Sequence, residues 1–197
     1  MDDHEGCEGE QKNRRGFEQD VLEALEGAYH RADELLGLRP KRPITVIVYD
    51  PDVFDAVVKI LADPKRHIYL AGGRITRSNA DYFFNHLQII RPNVTLLSQT
   101  PNVWPQYLLD MGRKSVLILF DIRRYETDMA PLARLARDRD CTIVLFTDQW
   151  GSPISRLADH CFHALVEAPS SWDSTVAIML IVEALIADIQ AARWEDS

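Results

Sequence analysis

The sequence has few of the residues that define several common classes of protein. Its three cysteines, Cys7, Cys141 and Cys161, have neither the spacing of a metal site nor the even number of a disulfide framework. Lys and Arg total 22 against 30 Asp and Glu, and the net charge of -8 argues against a general nucleic-acid surface. The longest apolar stretch, 176–189, is too short to span a membrane and contains two acidic residues. We therefore expect a soluble, cytoplasmic protein with no membrane contact.

Several catalytic and nucleotide-binding motifs are also missing. The chain has neither the Gly-x-Gly-x-x-Gly fingerprint of dinucleotide sites nor the Gly-Lys-Ser/Thr of a P-loop, and it has no Gly-x-Ser-x-Gly elbow. Among its six histidines, only His160 and His163, at and within a predicted strand, are closely spaced, and no other pair has the spacing of metal ligands. The sequence therefore predicts no cofactor and no metal.

The first 63 residues divide into two parts. Residues 1–16 are polar and contain three glycines, so they bury too little apolar surface to offset the entropy of ordering, and we predict a disordered tail. Apolar residues then recur at helical spacing from Phe17. A second helix follows the pair Asp50-Pro51, which is typical of an N-cap and a first helical residue. We predict N-terminal linker helices over 17–63 and a separate domain over 64–197.

Five short apolar segments alternate with helical patterns in the remaining chain. The predicted strands cover 67–71, 94–97, 115–120, 142–146 and 161–166, and the last helix runs from about 172 to 193. Near-continuous apolar strands separated by helices indicate a parallel sheet that is buried on both faces. The sequence thus predicts an α/β fold, a three-layer αβα sandwich around a five-stranded parallel sheet of order 2-1-3-4-5.

The last predicted helix is apolar almost all round, so it must be buried on several sides. Either the sheet or a second copy of the chain could cover it. We expect a homodimer or homotetramer through this helix.

Polar side chains gather where the predicted strands end, which is the edge at which open parallel sheets bind ligands. Two glycines after the first strand allow backbone amides to approach an anion near a helix N-terminus, where hydroxyl groups can also donate. A carboxylate, two adjacent guanidiniums and a phenol follow the third strand. The candidate ligand-binding residues are Gly72, Gly73, Arg74, Thr76, Ser78, Asp121, Arg123, Arg124, Tyr125, Thr127, Thr147, Ser152, Ser171 and Asp173.

These groups also have purely structural interpretations. The glycines could form only a turn, and Thr76 could be only a helix cap. Ser152, before Pro153, could begin a short helix, and Ser171, Asp173 and Ser174 could cap the last helix.

Arg123 and Arg124 should diverge if they continue a strand, so that one binds a ligand while the other pairs with Asp121 or with a neighbouring subunit. Ion pairing within or between subunits, without ligand contact, is the structural alternative. The candidates for acid–base chemistry are Glu126, His86, Glu167 and Asp173.

Three segments, in this order, resemble a known family. They are GGRIT at 72–76, FDIRRYETD at 120–128 and TDQWGSPISRLAD at 147–159. From about residue 63 to residue 192 the chain resembles a SIS (sugar isomerase) domain, specifically the sensor half of MurR/RpiR-type bacterial transcription regulators. The resemblance implies a phosphosugar ligand held by a Ser-x-Ser-Gly-x-Thr loop after the third strand. The residues at the Ser, Ser, Gly and Thr of that loop are Asp121, Arg123, Arg124 and Glu126.

These replacements change what the loop can bind. Two carboxylates repel a phosphate dianion, and the loss of Gly removes a close backbone approach, whereas two arginines can bind an acidic ligand bidentately. We expect an effector-sensing and dimerisation domain that binds a sugar phosphate or another acidic carbohydrate derivative. A small stand-alone phosphosugar isomerase and a non-binding oligomerisation domain are the alternatives.

The resemblance also concerns DNA binding. Regulators of this type carry an N-terminal helix-turn-helix domain, whereas only two helices are predicted before the first strand here. We therefore expect no direct contact with DNA by this chain alone.

Overall fold

A five-stranded parallel sheet forms the centre of the structure, a computed structural model that describes residues 50–168 and 171–195. The strands pair in the order β2-β1-β3-β4-β5. Their bounds are β1 (His67–Gly72), β2 (Val94–Leu96), β3 (Ser115–Phe120), β4 (Thr142–Asp148) and β5 (His160–Ala164). The predicted fold class and strand order are confirmed. The predictions for residues 1–16 and for the first linker helix lie outside the described residues.

Helices cover both faces of the sheet. Their bounds are α1 (Pro51–Ala62), α2 (Arg77–Ile90), α3 (Trp104–Leu108), α4 (Met129–Arg137) and α5 (Val176–Glu195), with short 3-10 turns at Pro101–Val103 and Pro153–Arg156. Alternate residues of β3 point to opposite faces. Ile118 and Phe120 join the core with α1, α2 and α5, whereas Leu117 and Leu119 join the core with α3 and α4. The two cores correspond to the two interfaces of the predicted three-layer sandwich.

Three phenylalanines stack across the sheet close to the carboxyl ends of their strands. Phe120 lies opposite Phe146 with ring centroids 4.6 Å apart, and Phe146 lies opposite Phe162 at 4.9 Å. All three side chains are fully buried. Because the residues that follow Phe120 and Phe146 are polar, this aromatic row forms the apolar base beneath the polar edge of the sheet.

Helix α1 packs on the sheet, although the sequence assigns it to the linker region. Asp50 caps it, since its Oδ1 accepts a hydrogen bond from the Asp52 amide at 3.0 Å, and Pro51 occupies the first turn. Val57 and Leu61 are fully buried in the same core as α5. The helix therefore belongs to the same compact unit as the sheet. The bounds of the domains remain a prediction.

Several element boundaries differ from the prediction, and the differences in β4 and α5 bear on the candidate site. Strand β4 continues through Thr147 and Asp148, whose polar side chains end the apolar pattern in the sequence although both are fully buried. Helix α5 begins at Val176 rather than near residue 172. The hydroxyl of Ser174 accepts a hydrogen bond from the Val176 amide at 3.3 Å. The predicted cap by Ser174 is therefore confirmed, whereas the predicted cap by Asp173 is wrong, because that carboxylate pairs with Arg123 instead.

The apolar character of α5 is explained in part by cover within the chain. Ile181 and Leu185 are buried, and they share one core with α1, α2 and the sheet. The exposed positions of the helix include Glu183, Ala187 and Ala191, which are four residues apart. Assembly through α5 would have to use this narrower face, and the oligomer remains a prediction.

A buried arginine connects the end of α1 to the start of the sheet. Arg91 is 3% exposed, and its guanidinium donates hydrogen bonds to the carbonyl oxygens of Leu61 and Arg66 and, at 3.1 Å, of Pro92. Burial is the main reason that its pKa falls to about 10, and Arg193 adds to the effect. The guanidinium satisfies carbonyl groups that the last turn of α1 and the adjoining loop leave without backbone partners.

Replacing Arg91 should destabilise the domain strongly. In Arg91→Leu, three carbonyl groups lose their donor in a buried setting, and we expect the free energy of unfolding to fall by about 2–4 kcal/mol. Urea denaturation followed by circular dichroism measures this change. The control is Arg113→Leu, because the Arg113 side chain is 85% exposed and its ion pair with Asp140 should contribute little. Equal losses in the two variants would contradict the structural role of Arg91.

Candidate functional site

Four loops leave the carboxyl edge of the sheet and carry all of the predicted site residues except Gly72, which ends β1, and Ser78 and Thr147. They are the β1 loop (73–76), the β3 loop (121–128), the β4 loop (149–152) and the β5 loop (165–168 and 171–175). Ser78 lies in the first turn of α2, and Thr147 lies in β4. Hydrogen bonds and one ion pair connect these loops to each other.

Asp148 is the main connection between the β3 and β4 loops. Its side chain is fully buried. One oxygen accepts from the Arg123 amide at 2.6 Å, and the other accepts from the Tyr125 hydroxyl at 2.9 Å and from the Trp150 and Gly151 amides at 3.0 Å. Burial and the hydrogen bond to Asp148 raise the pKa of Tyr125 to about 12. Asp148 was not among the candidates, although its position directly after an apolar run was an available signal.

A second buried carboxylate, Asp121, begins the β3 loop. Its Oδ1 accepts from the Glu126 amide at 3.1 Å, and its Oδ2 accepts from the Ser152 hydroxyl. The Ser152 amide in turn donates to the Thr147 hydroxyl at 2.9 Å. Burial raises the pKa of Asp121, although both hydrogen bonds oppose this shift. Ser152 and Thr147, both predicted ligand contacts, thus form hydrogen bonds within the protein.

Hydroxyl groups in the β1 loop and in the first turn of α2 form hydrogen bonds to the nearby backbone. The Thr76 hydroxyl accepts from the Gly73 amide at 2.9 Å and donates to the Phe120 carbonyl at 2.6 Å. The Ser78 hydroxyl donates to the Ile75 carbonyl at 2.9 Å. A Cβ atom at Gly72 would lie 2.5 Å from the Thr76 carbonyl oxygen, so this close backbone approach requires glycine.

Arg123 connects the β3, β4 and β5 loops. Its guanidinium forms an ion pair with Asp173, with Nε–O distances of 2.9 and 3.0 Å, and lies over the Trp150 ring at 4.3 Å from the centroid. The hydrogen bond to Asp173 is the main reason that the pKa of Arg123 rises. The sequence prediction missed Trp150, which has no periodic pattern to mark it.

Three predicted side chains at this edge face solvent. Arg74, Arg124 and Thr127 are exposed, and within the described part of the chain their side chains form no hydrogen bond or ion pair. Ser171 is also exposed.

Arg123 pairs with Asp173. The prediction that Asp121 is the partner of one of the two arginines is therefore wrong, because that carboxylate binds the Glu126 amide and the Ser152 hydroxyl. Arg124 has no side-chain partner among the described residues.

The acid–base candidates do not gather around one point. The Glu126 Oε1 atom accepts from the Arg74 amide at 3.0 Å, and Asp173 pairs with Arg123. His86 is the tenth residue of α2, about 14 Å along the helix axis from its start. Its Nδ1 atom lies 3.0 Å from the Tyr82 carbonyl. Glu167 is exposed in the β5 loop, and its charge contributes to the raised pKa of Arg123.

The described residues contain neither a metal-binding cluster nor a membrane-spanning helix. Within 50–168 and 171–195, no three His, Cys, Asp or Glu side chains are arranged to hold a metal ion. None of the helices in these ranges combines the length and apolar character needed to cross a bilayer.

Asp121 should make the stability of the domain depend on pH. Because the pKa in the folded state lies above the ordinary value of 3.8, the folded protein binds more protons than the unfolded chain between these two values. The contribution of Asp121 to stability therefore increases as pH falls through that window. We expect the free energy of unfolding of the wild type, minus that of Asp121→Asn, to be larger at pH 4, close to the ordinary pKa of 3.8, than at pH 7, by urea denaturation. A constant or smaller difference would contradict the raised pKa.

Comparison with known proteins places this geometry in a family. The model of the SIS domain matches residues 60–187. A search of curated proteins found no significant match. The sugar isomerase domain of an RpiR transcription factor from Sphaerobacter thermophilus has a similar structure, with a TM-score of 0.68, 22% identity, and 74% of this chain and 81% of that chain covered.

Two further similar structures contain ligands. One is the Vibrio vulnificus NanR protein complexed with ManNAc-6P, with a TM-score of 0.61, 16% identity, and 75% of this chain and 59% of that chain covered. The other is an Escherichia coli CFT073 protein in complex with a sugar phosphate, with a TM-score of 0.64, 12% identity, and 89% and 93% covered. These likenesses show a shared fold. With the match of the family model over 60–187, the chain belongs to the SIS domain family.

Proposed function

We propose that this SIS domain is the effector-binding domain of an RpiR-type transcription regulator, and that it binds a sugar phosphate or another acidic carbohydrate derivative at the carboxyl edge of the sheet. The observation that carries the proposal is the pair of exposed guanidiniums, Arg74 and Arg124, which have no partner among the described residues. The similar fold of a domain from an RpiR transcription factor, and of the NanR protein complexed with ManNAc-6P, supports it.

Guanidinium groups suit such a ligand for a geometric reason. Each presents a planar fork of N–H donors that matches a carboxylate or phosphate group bidentately. Arg123 is held by Asp173, so Arg124 and Arg74 supply the available forks. Trp150, whose ring lies under the Arg123 guanidinium, is 53% exposed and offers an apolar ring surface against which the C–H face of a sugar can pack.

The surrounding loops are fixed before any ligand arrives. Asp148 holds the backbone of the β3 loop through Arg123, and Asp121 holds it through Glu126 and the β4 loop through Ser152. A site built in this way loses less conformational entropy on binding. This arrangement favours a binding role for the edge over the alternative of a non-binding oligomerisation domain.

An effector domain is better supported than an aldose–ketose isomerase. Isomerisation requires a base that is free to move a proton between neighbouring carbons. Glu126 is hydrogen-bonded to the Arg74 amide, Asp173 is paired with Arg123, and His86 lies far along α2 from the edge. The fourth candidate, Glu167, is exposed, and no described residue forms a hydrogen bond that would orient it toward a substrate. We therefore propose a sensor without catalytic activity, which a lack of turnover of ketose and aldose phosphates would support.

The ligand proposal is tested with the full chain. Thermal shift followed by calorimetry against a panel of sugar phosphates and sugar acids should find a compound that raises the melting temperature saturably. Arg124→Ala should weaken its binding by about tenfold or more, because a charge-assisted bidentate contact is lost. Arg113→Ala, at the opposite edge of the sheet, is the matched control and should bind as the wild type does. Indifference to the whole panel would overturn the proposal.

We also propose that the chain forms a homodimer or homotetramer through the exposed face of α5. Ala187→Arg places a charge on that face, so we expect the mass from light scattering to fall toward that of a monomer. Gln106→Arg adds the same charge to an exposed position of α3 and should leave the mass unchanged. Substitutions at Leu185 would not serve, because that side chain is buried within the chain and its loss would unfold the domain. An unchanged mass in Ala187→Arg would exclude this face as the interface.

A further inference from the structure

The side chain of Glu126 reaches from the β3 loop to the backbone of the β1 loop. Its Oε1 atom accepts a hydrogen bond from the Arg74 amide at 3.0 Å. Its Cγ atom lies 2.8 Å from the position that a Cβ atom would occupy at Gly73. The lack of a side chain at Gly73 is thus what lets this carboxylate approach the β1 loop so closely.

The Arg74 amide, which donates to Glu126, lies just before a helix N-terminus, and helix N-termini stabilise anions. It lies in the loop that leads directly into α2, a helix of 14 residues, whose N-terminal amides carry positive partial charge. The neighbouring Gly73 amide donates to the Thr76 hydroxyl and lies 3.2 Å from the Phe120 carbonyl. Both amides at the turn therefore have acceptors within the protein, and one of these acceptors is itself an anion.

Two more carboxylates bind the same loop as Glu126. Asp121 accepts from the Glu126 amide, and Asp148 accepts from the Arg123 amide and the Tyr125 hydroxyl. A phosphate monoester carries about -1.5 to -2 charges at pH 7, whereas a sugar acid carries one. Because repulsion grows with the charge of the ligand, a phosphate group at this turn would face a larger electrostatic cost than a carboxylate.

We propose that Glu126 determines the charge of the ligand. Its carboxylate accepts from the Arg74 amide and fixes a negative charge at the β1 loop. The edge of the sheet therefore selects a carbohydrate bearing a single carboxylate over the phosphate ester of a sugar. The ligand carboxylate is held by the guanidinium of Arg74 or Arg124, rather than by the backbone of the turn. This inference rests on the proposed function and narrows the class of acidic carbohydrate that it names.

The first experiment needs no knowledge of the sugar. Binding of inorganic phosphate is measured by calorimetry at constant ionic strength for the full-length wild type, Glu126→Gln and Asp138→Asn. Glutamine keeps the size of the side chain and an oxygen that can accept from the Arg74 amide, but it removes the charge. Asp138 is an exposed residue at the end of α4, and its replacement changes the net charge by the same amount.

We expect Glu126→Gln to bind phosphate at least about tenfold more tightly than the wild type and Asp138→Asn, which should match each other. A second variant, Glu126→Ala, should show the same gain with the turn amide free. Urea denaturation of each variant checks that the domain remains folded. Equal phosphate affinity in the wild type and both Glu126 variants would overturn the inference.

The second experiment compares paired ligands, such as D-glucuronate with D-glucose 6-phosphate and the corresponding pairs from other hexoses. In the wild type the sugar acid should bind more tightly than the phosphate ester within a pair, and Glu126→Gln should narrow or reverse that order. A wild-type preference for phosphate esters would overturn the inference while leaving the proposed function intact. Failure of all sugars, together with a phosphate gain in Glu126→Gln, would overturn the proposed function but support the role of Glu126.

Discussion

The buried charge of Asp148 is the constraint on which the rest of this edge depends. A carboxylate removed from water is tolerated only where several donors reach it, and here one hydroxyl and three amides do so. The donors come from Arg123 and Tyr125 in one loop and from Trp150 and Gly151 in the next. The two loops therefore cannot move independently without exposing this carboxylate to water or removing some of its hydrogen-bond donors.

The positions of the arginines follow from that constraint. Once the Arg123 amide is bound to Asp148, its guanidinium reaches Asp173 and covers one face of Trp150. The neighbouring residue, Arg124, faces solvent without a partner among the described residues. One arginine thus holds the β3, β4 and β5 loops together, while the other remains available to a ligand. A lysine would suit the first position less well, because it lacks the planar fork and the flat surface for stacking.

The sequence predicted the features that leave a local pattern. Apolar segments of strand length, alternating with helices, were enough for the fold class and the strand order, and the polar residues after Phe120 indicated the edge that carries the candidate site. The contacts of those residues could not be predicted in the same way. Glu126 meets Arg74 across 52 positions and Asp121 meets Ser152 across 31, and such pairs have no periodicity. Thr76 and Ser152 were therefore included among the ligand contacts, although both donate within the protein. The alternative prediction that Ser152 begins a short helix is confirmed, because its hydroxyl accepts from the Ile154 amide.

The distribution of buried polar groups supports a functional role for this edge independently of the arginines. Among the described residues, the buried polar side chains at or near the carboxyl edge are Thr76, Asn79, Asp121, Thr147, Asp148 and Ser152, whereas those elsewhere are Arg91 and Ser115. Asn79 is fully buried one turn into α2, and both polar atoms of its amide lack a partner in the described chain. Burying such groups lowers stability unless each is satisfied, and apolar residues would fill the same space at less cost. This edge thus has buried polar side chains at positions where apolar residues would give a more stable fold. Such a departure is expected where a sequence is constrained by binding as well as by stability.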